Sequence, residues 1–154
     1  MTGEIEKKYS ELGKKHRLPD FKELDDELEM SDCEKTNFLL RDIIRRIAER
    51  LDFYTTMLEE VMQPDTKLYA MHEARFFDDT EKKEMYSIYT NLMKLNRKII
   101  ELSLKKNEKE DAEFISSFFS EWKGLKLQLL NIAVKMKECW KEESEMKEDV
   151  GYLG

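Results

Sequence analysis

The chain has 154 residues, within the span of one ordinary domain, and is 40% hydrophobic against 40% charged. Five glycines and two prolines supply too few turns for a many-stranded sandwich or barrel, so an all-α protein is expected. No apolar run approaches the roughly 18 residues of a membrane span, and Met1 to Ser10 carries Glu4, Glu6, Lys7 and Lys8 where a secretory signal needs an apolar stretch, which predicts a cytoplasmic protein with no membrane partner.

In chain order, Gly3 to Lys15 offers Ile5, Tyr9 and Leu12 as an apolar stripe before Leu18 and Pro19 break it. A second short helix follows, with Asp20 and Glu23 as a capping box and Phe21, Leu24 and Leu28 on one face. Neither is long enough to hold its shape alone, so residues 1–30 read as a helical appendage. The first long stripe is Leu40, Ile44, Ile47, Leu51, Tyr54, Leu58 and Val61, starting after the N-cap candidates Ser31 and Asp32 and stopped by Pro64.

Residues 64–79 are more than a simple reversal needs, and Leu68 to Phe76 reads as a short cross helix at the apex. The second long stripe is Met85, Ile88, Leu92, Leu95, Ile99 and Leu102, on a helix from about Thr80 to Lys106 opened by Asp78 with Glu81 as capping box. The third is Ile115, Phe118, Trp122, Leu125, Leu129, Ile132, Met136 and Cys139, beginning after the polar connection at Asn107. That short connection makes the last two helices antiparallel neighbours. The expected architecture is an antiparallel up-down bundle of three long helices over residues 31–148, one domain, with a flexible tail at 149–154. Gly124, inside the third helix, predicts a kink or a close approach by another element.

Charge is unevenly placed. The net value of −7 resides in a strip from Asp20 to Glu34 with eight acids and one base, and the rest balances at 26 against 26. Four of seven arginines, Arg41, Arg45, Arg46 and Arg50, fall within ten residues, but helical geometry divides them between two flanks of the apolar stripe. Local partners Asp42 to Arg46 and Arg45 to Glu49 are expected, which disfavours nucleic acid as a ligand. If the chain reverses at Ser31 and Asp32, the second short helix runs back beside the first long one. Asp25, Asp26 and Glu29 then come within reach of Arg41 or Arg45, as a latch.

The chemistry-bearing residues are few. The sequence has two cysteines, and the topology puts Cys33 and Cys139 about 40 Å apart, too far for a disulfide. A di-iron site needs Glu-x-x-His pairs, whereas Gly13 and Tyr69 precede His16 and His72 by three. The spacings Glu81/Glu84 and Glu108/Asp111 suit magnesium, but roughly 40 Å of helix separates them. No glycine-rich phosphate loop is present. No cofactor is therefore expected.

Two site readings remain. At the apex, Leu68, Met71 and Phe76 close the core, or Tyr69, His72, Glu73 and Arg75 face outward as a recognition surface. The leading function is a non-catalytic interaction or adaptor protein with a protein partner, a second copy of the chain among the candidates. The alternative is a small-molecule-binding or hydrolytic bundle using the 64–79 connection, and the weakest is a nucleic-acid accessory using Arg41 to Arg50.

Overall fold

The computed structural model describes residues 2–30 and 38–141. Among these, six helices and no strand are present: α1 (Thr2–Lys15), α2 (Phe21–Leu28), α3 (Leu39–Met62), α4 (Leu68–Ala74), α5 (Asp79–Lys105) and α6 (Glu108–Glu138), the last followed by a 3-10 turn, Cys139–Lys141. The expected start of the first long helix at Ser31 and Asp32, Cys33 and the tail at 149–154 lie outside the described residues. No helix of the described residues is long and apolar enough to cross a membrane.

Local chemistry accounts for the helix ends. Asp78 and Glu81 form the expected reciprocal cap of α5. Asn107 caps α6, its side-chain carbonyl accepting the Glu110 amide at 3.1 Å. Lys106, with φ 53°, turns the chain out of α5. Asp20 occupies the N-cap position of α2, but its carboxylate makes no cap bond, so the expected box there is absent; Glu23 lies 3.8 Å from Lys123 instead.

The three long stripes are buried as their spacing predicts, except that Tyr54, Ile99 and Met136 are partly exposed. Packing gathers in two units. The first draws on residues up to 51 and on 95–123. Its aromatic centre lies on α6, where Phe118 stacks on Trp122 at 5.3 Å and meets Phe119 edge-on at 5.4 Å. The two N-terminal helices are tied to that helix. Trp122 Nε1 donates to Glu27 at 2.9 Å, Ser116 Oγ donates to the Arg17 carbonyl at 2.5 Å, and Lys15 and His16 both meet Glu108 at 2.9 Å. Tyr9, buried against Phe21, gives its hydroxyl to the Pro19 carbonyl, and burial raises its pKa.

The second unit comprises residues 52–94 and those from 124 onward. Its interior is made by Leu58, Val61, Met85, Ile88, Leu92 and Leu129, closed by α4 against the 3-10 turn. Gly124 has nothing within 4 Å of where a Cβ would stand, so the expected close approach is absent.

Candidate functional site

The apex quartet does not face one way. His72 is fully buried, correcting the outward orientation: its Nε2 lies 3.1 Å from the Cys139 carbonyl, and its ring sits 5.2 Å from Phe76 and 4.3 Å from Trp140. The physical reason is the 3-10 turn, which brings the Cys139 carbonyl within reach of the ring nitrogen and the Trp140 indole against the ring. Glu73 lies at the margin and accepts from Trp140 Nε1 at 3.1 Å. Tyr69 and Arg75 are exposed.

Beside Tyr69 lies a cavity of about 490 Å³ bordered by Glu59, Glu60, Lys67, Tyr86 and Tyr89. Glu59 and Glu60 are engaged from within. Tyr89 donates to Glu59, and Lys67 at 3.0 Å together with Tyr69 binds Glu60, holding that carboxyl below its usual range. His72 contributes nothing to this cavity, so the connection offers no histidine base at an open surface. Cys139 Sγ, 2.9 Å from the Met136 carbonyl, is also buried. Among the described residues no three His, Cys, Asp or Glu side chains gather as a metal site.

The arginines of α3 separate as their geometry implies, with different partners. Arg45 pairs with Asp42 at 3.2 Å, in place of the expected Asp42 to Arg46 bridge. Arg46 is released to donate to the carbonyls of Leu28 at 2.9 Å and Glu29 at 3.0 Å, and so caps the end of α2. Arg41 meets Asp111 at 3.0 Å. Arg46 thus joins α3 to the acidic helix through main-chain oxygens. Within that helix Asp25 is half-buried and Asp26 exposed, while Glu27 and Glu23 reach α6.

Two arrangements escape the apolar stripes. Arg41 and Asp111 share the wall of a cavity of about 510 Å³. The second is a row on α6: Leu127, Leu130 and Val134 are 62%, 56% and 39% exposed, three apolar side chains on the side away from the buried seam. Their spacing of three and four residues is the signal that finds them.

No protein-family model, curated protein or solved structure matches the chain. Any functional reading therefore rests on what these side chains can touch.

Proposed function

We propose that this is a non-catalytic interaction protein whose α6 receives an amphipathic helical segment of a protein partner. The exposed Leu127, Leu130 and Val134 carry the reading, because they form one row at coiled-coil spacing. Lys126 and Lys137 border the row, which favours a partner segment whose apolar face is flanked by acids. The same lysines disfavour a second copy laid face to face, since like charges would meet along the rim. The scaffold for this face is an up-down-up bundle of α3, α5 and α6 with α1 and α2 as appendage. The two-residue connection Lys106 and Asn107 supports that topology by sending α6 back along α5.

The test is affinity purification with cross-linking from the native cell, using the parent chain, a Leu127→Asp/Leu130→Asp variant and a Phe53→Asp control at an exposed apolar residue outside the row. A partner recovered by the parent and the control but lost by the double variant, with unchanged thermal melts, supports the reading. Recovery of the same proteins by all three chains overturns it, as does recovery of no specific protein by the parent.

A further inference from the structure

The cavity of about 510 Å³ in the first unit joins an apolar wall to a basic rim. Leu12 of α1 and Phe38, Leu39 and Leu40, where α3 begins, make most of the wall apolar. Phe38 is 72% exposed, a large ring held at the edge of an apolar hollow. The charged groups around this hollow do not cancel. Two acids border it, and each already has a cation: Asp111, 3% exposed, meets Arg41 at 3.0 Å, and Glu108 meets Lys15 and His16 at 2.9 Å. Lys8 and Lys106, both exposed, border it as well and carry its net charge to the positive side.

We propose that this cavity binds a single-chain anionic amphiphile, a carboxylate on a linear alkyl body, with the carboxylate at Lys8 and Lys106 and the chain along Leu12 and Phe38. Charge selects the head, and the wall selects the body. An alkylammonium would bring its own charge against two lysines, and a neutral alcohol would gain nothing from theirs. A bare inorganic anion would meet the lysines and leave the leucine and phenylalanine surface in water. Ion pairs at exposed lysines add little by themselves, so the head sets sign and orientation while burial of the chain supplies the affinity. A volume near 510 Å³ falls in the usual range of roughly 300–1,000 Å³ for small-molecule sites, and it suits one alkyl chain rather than the two of a bilayer lipid. This pocket is independent of the α6 row and does not rest on it.

The test is a titration of the full chain with octanoate below its critical micelle concentration, followed by backbone amide NMR shifts, beside butanoate, octylammonium and 1-octanol. The expected result is saturable shifts at Leu12, Phe38, Leu39, Leu40 and Lys106. Octanoate should bind at least tenfold more tightly than octylammonium and butanoate, and at least threefold more tightly than 1-octanol; each buried methylene is worth roughly fourfold, so the chain-length margin is ample. Lys106→Asn removes one charge and keeps a residue that tolerates the left-handed conformation at φ 53°, and Lys8→Gln removes the other. The two together should weaken octanoate at least threefold and leave 1-octanol unchanged, whereas Lys83→Gln, outside the cavity, should alter neither. Phe38→Ser should weaken both ligands. If the double lysine variant does not fold, the four ligands on the parent chain decide. Absence of saturable shifts, binding of any comparator as tightly as octanoate, or undiminished octanoate binding by the folded double variant each overturns the proposal. Saturable shifts confined to Leu127, Leu130 and Val134 overturn it too, since the amphiphile would then lie on the α6 row.

Discussion

Asp78 and Glu81 cap each other: the Asp78 carboxylate accepts the Glu81 amide at 2.8 Å, and the Glu81 carboxylate accepts the Asp78 amide at 3.0 Å. Glu81 is also held by Lys135 of α6, and these contacts keep its carboxyl below the usual range. Asp78→Ala removes one cap acceptor and should cost about 1 kcal/mol of stability, read from denaturant melts. A cost below about 0.3 kcal/mol would mean that the cap contributes little to this helix start.

A second prediction concerns backbone conformation. Gly124 lies inside α6 with open space at its Cβ position, so Gly124→Ala should stabilise the chain by up to about 1 kcal/mol. Glu29 shows the converse case. It ends α2 in the left-handed region at φ 54°, where a side chain is strained, and Glu29→Gly should gain about 0.5–1 kcal/mol. Thermal melts of both variants and their combination check the two effects, which should add. A loss of stability in either variant contradicts its assignment.

Protonation gives a third. Burial holds the Asp111 carboxyl above its ordinary value of 3.8, with Arg41 opposing and Glu110 and Glu108 adding to the rise. An acid raised in this way weakens the fold while ionised. The handicap is full above the folded pKa and disappears as pH falls toward the unfolded value. Stability of the parent relative to Asp111→Asn should therefore rise as pH is lowered from 7 toward 3.8. Glu60, Glu81 and Glu101, lowered by lysine contacts, act in the opposite sense, but they are common to both chains and cancel in the comparison. A flat or falling difference in denaturant midpoints across that range would contradict the direction given for Asp111.

The buried histidine gives a fourth. His72→Ala removes a fully buried ring from between Phe76 and Trp140 and leaves the Cys139 carbonyl without the ring nitrogen. The expected loss is about 2–4 kcal/mol in denaturant melts, with altered Trp140 fluorescence. Tyr69→Ala, on the exposed side of the same helix, should change stability by about 0.5 kcal/mol or less. Equal effects from both substitutions would mean that α4 does not bury the histidine.

What is legible in the sequence follows the range of the interaction. The Asp78/Glu81 cap spans three residues, and the long stripes repeat often enough for period alone to assign their buried sides. The orientation of α4 is not legible, because a helix of seven residues is too short for its composition to define a face; His72 is placed by a carbonyl 67 residues away. The partner of Arg41 is hidden for the same reason. Asp42 is its sequence neighbour, yet burial of Asp111 on α6 determines where the guanidinium goes. The exposed row on α6 is visible as spacing, but the neighbouring aromatic run dominates the pattern, and only burial separates the covered stripe from the open one.

The ties between α1 and α6 set an order of events during synthesis. Lys15 meets Glu108 across 93 residues, and Arg17 meets Ser116 across 99. At roughly 5–20 residues per second, the N-terminal helices wait about 5–20 s on the ribosome before the helix that covers them emerges. Throughout that interval Ile5, Leu24 and Leu28 lack the α6 side of their unit, and residues 52–94, nearly half of the chain translated meanwhile, belong to the other unit. Helices α1 and α2 are therefore open to chaperones and proteases while residues 52–94 are being made, and arrest of translation before Glu108 would leave them so.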